Sequence, residues 1–127
     1  MTDLLYPAPL NKGDTIAVFA PAGNIYDKDR FFRGVSILED MGFVVRFPRD
    51  LWPGADYFAD TDKNRGLEFN TLISDPSVKA LVSLRGGYGC LRMLDQIDLD
   101  QVVATPKLLV GFSDLTVLQN YLYDQTG

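Results

Sequence analysis

The sequence predicts an α/β domain, a parallel sheet with helices on both faces, and three observations predict it. Short apolar runs rich in β-branched residues alternate with segments of helical period along the whole chain. These runs lack the polar alternation of a half-solvated strand, so each suits a strand buried on both faces. The length, 127 residues with 46% apolar side chains, is that of one domain able to bury its own core.

After an extended lead-in, "TIAVFA" (residues 15–20) is the first predicted strand, ended by Pro21 and Gly23. Residues 27–41 place Phe31, Val35 and Leu38 on one stripe, which predicts an amphipathic helix. Gly42 is placed to cap it. "FVVRFP" (43–48) is the second strand. Residues 49–59 read as a loop of Asp, Pro, Gly and aromatics, in which Trp52, Tyr57 and Phe58 either border a pocket or pin the loop down. Residues 61–74 predict a second helix with Leu67, Leu72 and Ile73 buried. "KALVSL" (79–84) is the third strand, and "RGGYG" (85–89) is a glycine-rich turn. A helix follows over 90–97 and a shorter helical piece over 98–104. "KLLVGF" (107–112) is the fourth strand, and 114–124 the last helix, with Leu115, Leu118 and Leu122 on one face.

Composition narrows the function. A net charge of -5 with scattered basic residues argues against nucleic acid as a partner. The single cysteine, Cys90, forms no intrachain disulfide and gives no sign of an oxidising compartment. The first residues lack a basic segment followed by an apolar run, and no stretch reaches the roughly 18 apolar residues of a membrane span. A soluble cytoplasmic protein, off the membrane, is the expectation. The chain has no histidine and no EF-hand loop, so neither a metal nor another cofactor is expected.

Three turns leave the carboxyl ends of predicted strands: "APAGN", "RGGYG" and "GFSD". Parallel sheets bind ligands at those ends, so the turns are expected to converge on one rim. Ser113 follows the fourth strand through Gly111 and Phe112 and precedes a helix. That is the setting of a nucleophile elbow, where the hydroxyl meets solvent and the next N–H faces the same way. Leu115 stands where the last glycine of G-x-S-x-G would be. The competing reading makes Ser113 or Asp114 a helix N-cap. The glycine turn reads as half of an oxyanion hole, as an anion cradle, or as plain turn chemistry. Cys90 lacks a histidine to activate it, and a lone cysteine is more often a small buried hydrophobe.

"LNKGDTIAVFAPAG", "YFADTDKNRGLEFNTLISDPSVKALVSLRGGYG" and "LLVGFSDLTVLQNYL" together resemble the N-terminal half of the LD-carboxypeptidases, the muramoyl-tetrapeptide carboxypeptidases grouped with the microcin immunity peptidases. The resemblance runs from about residue 10 to 122, and its specific parts are the RGGYG turn and the G-[aromatic]-S-D elbow. It implies a flavodoxin-like sheet of the kind shared with class I glutamine amidotransferases. It implies a serine peptidase that releases D-alanine from a murein tetrapeptide, with Ser113 as nucleophile. The oxyanion donors it implies are the N–H groups of Asp114 and of Gly87, preferred over Gly86. Gly86, Tyr88 and the "APAG" turn would line the substrate side. Such peptidases carry the histidine and glutamate of the triad in a C-terminal domain. This chain is therefore expected to be a fragment, residues 1–127 of a longer enzyme, inactive by itself and prone to self-association through surfaces meant for the missing part. The alternatives are a flavodoxin-like module that binds an anionic small molecule without catalysis, and an interaction domain with no site.

Overall fold

The computed structural model describes residues 3–127. Four strands, β1 (Thr15–Phe19), β2 (Val44–Arg46), β3 (Val78–Ser83) and β4 (Leu108–Val110), form one sheet in the order β2-β1-β3-β4. Every pairing is parallel. The order is that of the first four strands of a flavodoxin-like sheet, and it reverses direction between β1 and β3. Ala17 pairs with Arg46 on one side and Leu81 on the other, and Leu81 pairs with Leu109. The crossovers are α1 (Lys28–Asp40), α2 (Asp62–Ser74), and α3 (Cys90–Met93) with α4 (Leu99–Ala104), and α5 (Leu115–Thr126) follows β4.

Side chains alternate across the sheet and feed two cores. Ala17, Phe19 and Leu81 point to the face covered by α2, α3, α4 and α5, where Phe69, Met93, Val102, Leu115 and Leu118 close around them. Val18 and Ala20 point the other way, to Trp52 and Ala59, with Phe31, Val45, Phe47 and Leu84 partly buried beside them. Among the described residues, α1 and the 49–59 loop supply the cover packed on that second face. A cavity of about 570 Å³ remains on it, lined in part by Val18, Phe31, Val82, Leu84 and Phe112.

Local chemistry sets the helix starts. Asp27, Thr61 and Asp98 each accept a hydrogen bond from the backbone N–H three residues on, at 2.9, 3.1 and 3.1 Å. Gly42 ends α1 with φ +100°, its N–H donating to the Glu39 carbonyl. No helix among the described residues is long and apolar enough to cross a membrane.

Two expectations are corrected. Leu67 is 58% exposed, and the buried side of α2 is Arg65, Gly66, Phe69, Leu72 and Ile73. Leu67 is two residues from both Arg65 and Phe69, about 200° around the helix, so once those two face inward it must face out. The helix expected over 90–97 breaks after Met93 into a 3₁₀ turn, Leu94–Gln96.

Candidate active site

Ser113 lies just past β4 and has φ +60°, a left-handed conformation that costs an L-residue about 1–2 kcal/mol. The side chain is exposed. α5 opens at once behind it, with the Thr116 N–H on the Ser113 carbonyl (3.0 Å) and the Val117 N–H on that of Asp114 (3.1 Å). Gly111 makes the bend possible. A Cβ there would stand 2.4 Å from Leu115 Cδ2 and 3.0 Å from Ser83 Cβ, inside the packed start of α5.

The glycine turn comes directly against this elbow. A Cβ on Gly86 would lie 2.9 Å from Ser113 Cβ, 3.0 Å from its Oγ and 3.3 Å from the Asp114 nitrogen. The position is glycine because a side chain would collide with the serine. The Gly86 carbonyl accepts from the Gly23 N–H at 3.3 Å, which brings in the "APAGN" turn after β1. The three turns thus meet on one rim, at the β1/β3 switch point and its β4 neighbour. Among the described residues the peptide bonds are trans, so the Gly87 N–H points opposite to the Gly86 carbonyl, away from Gly23. Among the described residues, neither the Gly87 nor the Asp114 N–H donates to a protein acceptor.

The Asp114 side chain does not cap its own helix, and neither does that of Ser113. Its Oδ2 reaches across and accepts from the Cys90 N–H at 2.9 Å, where α3 begins. The carboxylate therefore ties the serine turn to the element that follows the glycine turn. Cys90 is fully buried, and burial, followed by the Asp114 carboxylate, pushes its thiol pKa well up. A thiol held protonated in this way is a packing group and a poor nucleophile.

Sequence reasoning missed Arg65. It is 1% exposed, and its Nη1 donates to the carbonyls of Pro21 and Gly89 (2.9 Å to the latter). Its Nε donates to the Asp60 carbonyl at 3.0 Å, and Nη2 pairs with Asp62. One guanidinium thereby joins the first turn, the glycine turn and the residue that follows the aromatic loop. A Cβ on Gly89 would come within 3.0 Å of it. The available signal was position: Arg65 sits on the stripe shared by Phe69 and Leu72.

Of the two roles the sequence allowed the aromatic loop, the pinning one is observed, and Trp52, Tyr57 and Phe58 do not line the 570 Å³ cavity. Trp52 is buried and pinned, its Nε1 donating to Glu68 at 2.8 Å. Burial raises the Glu68 pKa even though the Ala20 and Trp52 N–H groups favour its charged form. Tyr57 instead lies on the glycine turn, its hydroxyl covering the open side of Gly87. Tyr88 is exposed, with its ring 6.0 Å from that of Phe58.

Comparison with known proteins identifies the family and the fold. Residues 16–127 match the family described as LD-carboxypeptidase N-terminal domain. The chain is 38% identical over 126 residues to the microcin C7 self-immunity protein MccF of Escherichia coli, covering 97% of this chain and 36% of that protein. It is 33% identical over 121 residues to the probable murein peptide carboxypeptidase of Bacillus subtilis (strain 168), covering 95% and 38%. The solved structure of MccF in complex with aspartyl sulfamoyl adenosine superposes with a TM-score of 0.93 at 36% identity, over 98% of this chain and 38% of that one. The chain thus spans little more than a third of the length of these relatives. With the sequence matched over nearly its whole length and the same fold carrying its three turns, this chain belongs to the LD-carboxypeptidase family, as an N-terminal domain of that family.

Proposed function

We propose that this chain supplies the nucleophile and oxyanion hole of a cytoplasmic serine carboxypeptidase that cleaves the L,D-peptide bond of a murein tetrapeptide and releases D-alanine. The observation that carries the reading is Ser113: exposed, left-handed, and touching the one glycine whose side chain would displace it. In the reaction its hydroxyl oxygen attacks the scissile carbonyl. The open N–H groups of Asp114 and Gly87 take the developing oxyanion, a contribution worth about 3–4 kcal/mol per donor in serine enzymes. Gly86 and Tyr88 border the substrate. The leaving amine needs a proton, and the attacking hydroxyl must lose one. No histidine exists among the 127 residues, and the nearest carboxylate in sequence, Asp114, is engaged with Cys90. On the family resemblance, the base and its orienting glutamate come from a C-terminal domain of a longer protein, and the 127-residue chain alone is expected to turn over substrate negligibly.

The test is D-alanine release from murein tetrapeptide by the 127-residue chain, by the protein extended through that domain, and by the extended Ser113→Ala variant. Turnover by the extended wild type alone is the expected pattern. Robust turnover by the short chain, or by the variant, refutes the reading.

A further inference from the structure

The Arg85 guanidinium occupies a prepared seat between the first turn and the glycine turn, whose Gly86 abuts Ser113. A Cβ on Gly23 would lie 2.6 Å from its Nη1, and one on Gly87 3.3 Å from its Nη2, so two glycines make room for it. Its Cζ stands 4.5 Å from the centre of the Tyr26 ring and 5.7 Å from that of Tyr57. Held on four sides, the group is nevertheless almost unused. Its one hydrogen bond among the described residues goes to the Asn24 carbonyl at 3.3 Å. The ion pairs among those residues involve Arg46, Arg65 and Arg92, not Arg85. Arg65 shows what a structural arginine looks like here: fully buried, with carbonyls and a carboxylate on its donors. Arg85 is only partly buried and lines the 570 Å³ cavity together with Gly86. The other charged side chains on that cavity are Asp27, which caps α1, and Arg30.

A guanidinium fixed in place with most of its donors free matches a carboxylate in two-pronged fashion. We propose that Arg85 binds the terminal carboxylate of the peptide, on the leaving-group side of the scissile bond. The inference rests on the serine carboxypeptidase reading and deepens it. A carboxypeptidase must tell a free chain end from a continuing chain, and that carboxylate lies one residue from the carbonyl under attack. Gly87, whose N–H faces that carbonyl in the proposed mechanism, is also the glycine against which the guanidinium rests.

The experiment compares kcat and KM of the extended protein on murein tetrapeptide with a free C-terminus and on the same peptide ending in a carboxamide. Wild type should favour the free acid by roughly 10- to 100-fold in kcat/KM, the scale of a charge-assisted hydrogen-bonded pair. Arg85→Gln should raise KM for the acid, leave the amide nearly unaffected, and bring the ratio close to one. Arg85→Lys, which keeps the charge without the fork, should retain part of the preference and covers the case in which the glutamine variant does not fold. An unchanged acid-to-amide ratio in the folded variants, or an equal loss on both substrates, overturns the role of Arg85 alone. Absence of cleavage of either peptide by wild type overturns the carboxypeptidase reading and this inference with it.

Discussion

The two faces of the sheet are built differently. On one, four helices close over Phe19, Leu81, Met93, Leu115 and Leu118, each fully buried. On the other, α1 and a loop cover part of the surface, a large cavity remains, and Phe112 stands 84% exposed. The serine turn lies on the boundary. Leu115 and the Asp114–Cys90 hydrogen bond fasten it to the packed side, while Phe112 and Arg85 look out on the open one. Rigidity comes from one face and access from the other, which is what a strained nucleophile turn requires.

The largest effect should separate chemistry from packing. In the extended protein, Ser113→Ala should lower D-alanine release by about 10⁴-fold or more while leaving the denaturation midpoint nearly unchanged. Next come paired truncations read by urea denaturation. Phe69→Ala on the packed face should cost about 3–5 kcal/mol, and Phe112→Ala on the open face no more than about 0.5 kcal/mol. Equal costs would break the contrast between the faces. Asp114→Ala should cost about 1–2 kcal/mol by freeing the Cys90 N–H, and should slow hydrolysis further by loosening the elbow. Loss of stability without loss of rate would show that the fastening is not needed for geometry. The smallest effect is in pH. Burial raises the Glu68 pKa above its ordinary 4.5, so the stability that group contributes is present at acid pH and lost as pH rises through the raised value. Stability curves of Glu68→Gln and wild type should therefore shift in the variant's favour from acid to neutral pH. A shift the other way would mean that the Ala20 and Trp52 hydrogen bonds outweigh burial.

Much of this was legible in the sequence, for particular reasons. Apolar runs at strand length and the stripe Phe31, Val35, Leu38 located the elements. The parallel topology then placed "APAGN", "RGGYG" and "GFSD" on one rim before any coordinate was known. Arg65 was not legible, because a lone arginine on a helix reads as solvated until the carbonyls that surround it are in view. The error at Leu67 follows from the same omission, since the orientation of α2 depends on which way Arg65 faces. The Asp114–Cys90 bond joins residues 24 apart in sequence, and local capping rules point Asp114 at its own helix instead. Nor does amphipathicity tell how much of each face will be covered. It marks what prefers burial, and the count of crossovers on each side settles the rest.

The central claim is that the Ser113 hydroxyl is a nucleophile beside a ready oxyanion hole. The most direct measurement is peptide mapping by mass spectrometry after treating the extended protein with a serine-reactive fluorophosphonate. A single phosphonyl adduct on Ser113, absent when murein tetrapeptide is present in excess and absent from Gly86→Ala, is the predicted result. An unlabelled Ser113, or an adduct on another residue in an actively hydrolysing protein, would contradict it.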